Sequence, residues 1–185
     1  MSRVTVGIIV FFGTALLLYW QVQSKKSDEA VTIDVSLRPN YIADNLRSVE
    51  YNELGLVSNR VTARHMEHFD EANITYFTHP IYLIYPDGGE AQWRLQSTKG
   101  MLNKESGKVI LENNVIIDSI SSEEPIRTMK TSYLELDFNT MTMTSDRKVY
   151  IIGNDFMIQG VGLFGDLNTQ KIQLLSKVKG IYEVN

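Results

Sequence analysis

The chain has 185 residues, 43% of them hydrophobic and 22% charged, which suits one folded domain with a short appendage. Its 18 lysines and arginines face 22 aspartates and glutamates, a net charge of −4. No block of like charge offers the basic stripe that phosphate binding needs, so nucleic acid is excluded as a partner. Cysteine is absent, which excludes structural disulfides and thiolate metal sites.

From Val4 to Val22 the chain runs 19 residues without a charge. As a helix this stretch spans roughly 29 Å, about the thickness of a bilayer's hydrocarbon core. A cleaved signal peptide ending near "VQS" (22–24) is the alternative. The length of the run, the single Arg3 before it and the interfacial pair Tyr19 and Trp20 favour a retained transmembrane anchor over residues 1–23. Residues 24–40 are polar, lack a helical stripe and contain Pro39; they are expected to be a linker.

Residues 41–185 form the expected folded domain, and it reads as all-β. Runs rich in Val, Ile, Thr, Tyr and Phe alternate with turn clusters: "NELG" (52–55), "DEAN" (70–73), "DGG" (87–89), "NKESG" (103–107), "SSEEP" (121–125), "NT" (139–140), "GND" (153–155) and "LNT" (167–169). The segment "VTARHMEHFDEA" (61–72) is the best candidate for a short helix. A weak repeat joins "SGKVILENNVIID" (106–118), "NTMTMTSDRKVYIIG" (139–153) and "NTQKIQLLSKVKGIY" (168–182). Each unit has a turn, an alternating stretch, a polar break and then a valine: Val115, Val149 or Val178. A polar break inside a long strand predicts a bulge, and a row of bulges curves the sheet until one face becomes an inward trough.

"IQGVGLFGD" (158–166) holds the spacing of a dinucleotide-binding fingerprint in Gly160, Gly162 and Gly165. That site needs a helix after the glycines, to point its N-terminus at pyrophosphate. Here a turn and another strand follow, so the glycines are expected to be close-packing or bulge positions. His65, His68 and His79 are the candidates for metal ligation, but a strand puts His65 and His68 on opposite faces, and no metal site is expected. Glu50, Glu53, Glu67, Asp70 and Glu71 read as solvated loop acids. No nucleophile elbow, H-E-x-x-H or phosphate-cradling loop occurs, so neither catalysis nor a cofactor is expected.

The informative signal is apolar alternation. Val109, Leu111, Val115 and Ile117 share a parity, Met141 and Met143 alternate with threonines, and Ile172, Leu174, Val178 and Tyr182 share a parity in the last strand. Alternation alone fits either a closed sandwich core or an inner face that takes an apolar ligand.

Five stretches in order carry a resemblance over nearly the whole chain: "EYNELGLVSNRVTARHMEHF" (50–69), "ITYFTHPIYLIY" (74–85), "WRLQSTKGML" (93–102), "VYIIGNDFMIQGVGLFGDL" (149–167) and "KVKGIYEV" (177–184). With the anchor and linker before them, they resemble the LptC family of the lipopolysaccharide export machinery. The resemblance implies a folded-over antiparallel β-jellyroll of the OstA/LptA type in the periplasm, tethered to the inner membrane. It implies a non-enzymatic role, in which the domain accepts lipopolysaccharide from the ABC transporter LptBFG and passes it to the periplasmic protein LptA. The trough then receives acyl chains. With the parities, it nominates Phe77, Val109, Leu111, Met141, Met143, Ile172, Leu174 and Tyr182 as lipid contacts, and Ser48 near the mouth. Gly55 and Gly153 match family glycines at turns, with a role in assembly.

Each CH₂ left in water costs about 0.8 kcal/mol, so one acyl chain of about a dozen carbons is worth roughly 10 kcal/mol. Escape through water is negligible at that cost, and the route must stay apolar. Sheets stacked edge to edge provide one, since a sheet edge offers unpaired N–H and C=O groups. The last strand, 170–183, is expected to pair with LptA, and the edge near 41–51 to face the transporter. The rival reading is a membrane-tethered structural β-sandwich that bridges proteins without binding lipid.

Overall fold

Among the described residues eleven strands form a single antiparallel sheet. The structure, a computed structural model, describes residues 38–86, 90–121 and 124–182. The expected anchor, most of the linker and the "DGG" turn lie outside those residues. The strands are β1 (Tyr41–Tyr51), β2 (Val57–Phe69), β3 (Ile74–Thr78), β4 (Ile81–Ile84), β5 (Trp93–Gln96), β6 (Lys99–Asn103), β7 (Lys108–Ser119), β8 (Ile126–Asp137), β9 (Thr142–Gly153), β10 (Phe156–Asp166) and β11 (Lys171–Tyr182). No helix occurs among the described residues. Residues 61–72, expected as a possible helix, instead complete β2 and its turn. Val61 and Ala63 are buried between exposed neighbours there and His68 between half-buried ones, and pairing with β1, β3 and β4 overrides the local helical preference.

β3 with β4, and β5 with β6, are long strands broken in the middle. β4 pairs with β5 and β3 with β6, and all four keep the antiparallel meander. The breaks belong to a crease that crosses the sheet. It passes through Asn45 (φ 54°) on β1, His79 (φ 51°) before Pro80, Asn113 and Asn114 (φ 61° and 54°) on β7, Gly162 (φ 81°) on β10 and Lys177 (φ 51°) on β11. Backbone bonds His79 N→Thr98 O and Thr98 N→Asn113 O, each 2.9 Å, carry it between strands. The register shifts between Glu112 and Val115, Lys130 and Glu135, Val161 and Leu163, and Gln159 and Val161. These are the polar breaks of the repeat, now seen as bulges. Asparagine tolerates the left-handed region, which is why "NN" works here. The buried Thr131 and Ser145 hydroxyls meet at 3.3 Å, and Ser145 donates to the Tyr133 carbonyl at 2.7 Å, satisfying polar groups at the crease.

Folding along the crease brings two apolar half-faces together. Leu111, Leu134, Leu136, Met143 and Leu163 lie on one side; Ile84, Leu95, Val115, Ile117, Met129 and Val149 lie on the other, all essentially without exposed surface. The three glycines of the false fingerprint sit inside β10. A Cβ at Gly165 would fall 2.8 Å from Met143 Cγ, and one at Gly160 3.1 Å from the Ser176 carbonyl. They are packing and bulge glycines in a strand.

β1 pairs only with β2 among the described strands. An ion pair helps hold it there: His65 Nδ1 lies 2.6 Å from Asp44 Oδ1, and Nε2 lies 3.2 Å from Glu67 Oε1. The hydrogen bond to Asp44, then that to Glu67, raises the His65 pKa above the ordinary 6.5. A raised pKa means the protonated form favours the fold. That contribution is full below pH 6.5 and fades as pH rises through the folded value. In an NMR titration His65 should therefore titrate above 6.5, and Asp44→Asn should move it back toward 6.5.

Candidate functional site: an apolar trough with two open edges

Between the half-faces, beside β1, a cavity of about 890 Å³ opens. One lip is the turn end of the sheet, with Lys104, Gly107, Phe138 and Asn139; the other is the second half of β1. Phe77, Tyr82 and Phe138 form an aromatic wall across the fold. Phe77 and Tyr82 meet edge-on at 6.2 Å, and Tyr82 and Phe138 lie 6.1 Å apart. Leu46, Val49, Val61, Met66 and Leu102 complete the apolar part. Polar groups sit at its margins. Asn59 donates to Glu50 Oε2 at 2.7 Å, so Glu50 is a strand residue with a partner and not the loop acid expected. Buried His68 meets Thr75 Oγ1 at 2.8 Å and Asp70 Oδ1 at 3.1 Å, under the stacked ring of Tyr41. Asp70 is thus tied to His68, and Glu67, on β2, to His65.

Toward β11 the lips meet. Gln170 Nε2 donates to Gln92 Oε1 at 3.0 Å, joining turns 78 residues apart, and Leu167 behind it is fully buried. The trough therefore gapes at the β1 side and is latched farther along.

Of the residues nominated from sequence, Ser48 and Phe77 line this cavity together. Val109, Leu111 and Met143 lie deeper in the same interior with no exposed surface. Ile172 and Leu174 are half-buried against that core. Met141 packs there too, but from the β8–β9 turn, where it takes φ 53°, so it does not share a strand face with Met143. Tyr182 ends β11 opposite Phe156, and its side chain lies outside the described residues. Gly55 takes φ 75° in a turn capped by Asn52, whose Oδ1 accepts from the Leu54 and Leu56 amides at 3.0 Å. Gly153 closes β9 against the Phe156 ring. Val178 departs from its expected parity partners. The bulge at Lys177 interrupts alternation, and Val178 is 55% exposed beside Leu175 and Ile181 at 63% and 70%. Sequence reading passed over Tyr82, Leu46 and Phe138 as cavity residues. The alternation of Tyr82 with Ile84 in "PIYLIY" held the signal for the first.

His65 faces away from His68 across β2, and His79 sits on the crease; among the described residues no group of three His, Asp or Glu side chains is arranged to hold a metal ion.

Both edges of the described sheet are bare. β1 and β11 each have a described strand on one side only, and both are exposed along most of their length. Tyr41, Ile42, Val49 and Tyr51 stand 42–62% exposed on β1. β11 adds Leu175, Val178 and Ile181. Exposed strands of 11 and 12 residues are templates for further pairing.

Comparison with known proteins agrees with this geometry. The structure is similar to that of LptH, the LptA-homologous periplasmic component of the lipopolysaccharide transport device from Pseudomonas aeruginosa. The TM-score is 0.52 at 9% identity, covering 68% of this chain and 95% of that one. The fold is thus an LptA-like β-jellyroll. The lipopolysaccharide export system protein LptC of Escherichia coli K12 is 22% identical over the whole of this chain and 96% of its own length. Its Haemophilus influenzae counterpart is 23% identical, covering 99% of this chain and 94% of its own length. A family model described as "Lipopolysaccharide-assembly, LptC-related" matches residues 7–183, so the chain belongs to the LptC-related family of lipopolysaccharide-assembly proteins.

Proposed function

We propose that the chain carries lipopolysaccharide across one step of its export, taking it from an inner-membrane ABC transporter and handing it to LptA. The family and the jellyroll support a role in lipopolysaccharide transport. The observation that carries the finer reading is the joining of an apolar interior to two bare edges of the same sheet. A lipid inside the fold can then leave along the sheet into a neighbouring jellyroll without meeting water. In this reading β1 pairs with the transporter LptBFG and β11 with LptA, each by strand addition. The anchor over residues 1–23 tethers the domain on the periplasmic side of the inner membrane. Acyl chains enter past Ser48 and Phe77, and Val109, Leu111, Met141, Met143, Ile172, Leu174 and Tyr182 line the path once the lips part. Carrying a lipid requires no bond chemistry in the chain; the work of extraction belongs to the transporter.

The test is positional. A photo-reactive residue at Lys179 on β11 should give an adduct with LptA, and one at Arg47 on β1 an adduct with the transporter. Adducts with the partners exchanged, or with neither, would overturn the edge assignments.

A further inference from the structure

Inside an otherwise apolar wall, one polar atom has no partner. The Tyr82 hydroxyl makes no hydrogen bond with the described residues, although Tyr82 is only 1% exposed. Native folds satisfy buried donors almost without exception, and those left over are candidates for function. Tyr82 lines the cavity, held by Phe77 on one side and Phe138 on the other. The Trp93 indole nitrogen likewise lacks a partner among the described residues, but it does not line the cavity. Burial, reinforced by the negative charge of Glu50, raises the Tyr82 pKa, so the group remains a neutral donor.

We propose that Tyr82 is a specificity-determining residue of the trough, donating a hydrogen bond to a neutral acceptor on the lipid: the ester or amide carbonyl where an acyl chain joins its head. This inference rests on the proposed lipid-carrying function and names the chemistry of the group recognised. The acceptor is neutral because the Glu50 charge, which acts on Tyr82 itself, repels a carboxylate or phosphate brought to that depth, while the cation Lys104 stands at the lip. The tail beyond the carbonyl lies against Phe77, Val61 and Leu102. A site that hydrogen-bonds a ligand carbonyl discriminates against a purely apolar chain, since such a chain leaves the donor unpaired. Tyr82 thus gives the trough a way to register an acylated lipid, where the remaining wall can only sense greasiness.

The test uses the full chain in lipid nanodiscs with a photo-reactive residue at Ser48, titrated with purified lipopolysaccharide. Tyr82→Phe removes the hydroxyl and nothing else. The half-saturating concentration for adduct formation should rise about three- to tenfold, the worth of one hydrogen bond. The thermal midpoint should stay level or rise, because no bond within the fold is lost. Methyl dodecanoate should compete better than tetradecane, an apolar chain of similar length, in the wild-type chain, and that advantage should vanish in Tyr82→Phe. Unchanged half-saturation overturns the proposal, as does an ester advantage that persists in the variant. A midpoint lowered by several degrees also overturns it, by revealing a structural partner for the hydroxyl. Absence of any adduct with the wild-type chain would overturn the lipid-carrying function as well, and so separates the two failures.

Discussion

Replacing Gly153 with arginine should lower the stability of the domain by about 1–3 kcal/mol and sharply reduce co-purification with LptA. The cause lies next door. A Cβ at this position would land on the ring of Phe156. That ring is packed against the core at the start of β10, opposite the end of β11. It already packs against the buried core and has no room to retreat inward, so the start of β10 must shift and carry the β11 edge with it. Gly153→Ala should show most of the loss in stability, since the collision is with Cβ. Combining Gly153→Ala with Phe156→Ala should cost less than the sum of the two, because the collision disappears with the ring. Denaturant unfolding and an affinity pull-down measure the two effects. A variant as stable as the wild type with undiminished LptA would remove the link between this turn and the edge.

Joining the lips should have an equally large effect on transport with almost none on folding. Gln92 and Gln170 touch across the seam, and the chain has no native cysteine to interfere. Gln92→Cys with Gln170→Cys, bridged by a short bis-maleimide, should leave the thermal midpoint unchanged or higher. It should also block lipid from reaching LptA, while the same pair without the bridge conducts normally. The direct bond is exposed and adds little stability by itself, so the latch is easily released. Normal transfer through the bridged chain would mean that lipid does not pass between these lips.

How much of this was legible in the sequence depended on whether a signal was local. The polar breaks before Val115, Val149 and Val178 marked the crease, because a bulge demands residues that tolerate a broken ladder, and "NN" at 113–114 advertises that locally. The glycine spacing in β10 could be dismissed from its flanks alone. Parity beyond a bulge could not be followed: Lys177 interrupts alternation and leaves Val178 in the open, where counting by twos had put it with Leu174. The crease at His79 was also hidden, since "FTHPIY" reads as an ordinary strand edge and its kink depends on pairing with β5 and β6. The cavity was the least visible part. Tyr82, Phe138 and Leu46 come from three distant segments, and only the folding of the sheet brings them together.

The central claim is that lipid travels inside the folded sheet, and it is tested most directly by where lipopolysaccharide touches the chain during export. Photo-reactive residues at Phe77 and Ile172 face the interior, and those at Arg60 and Lys130 stand exposed on its outside. With the transporter consuming ATP, adducts with lipopolysaccharide should form at the first pair and not at the second. Equal labelling inside and out, or labelling confined to Arg60 and Lys130, would contradict the account.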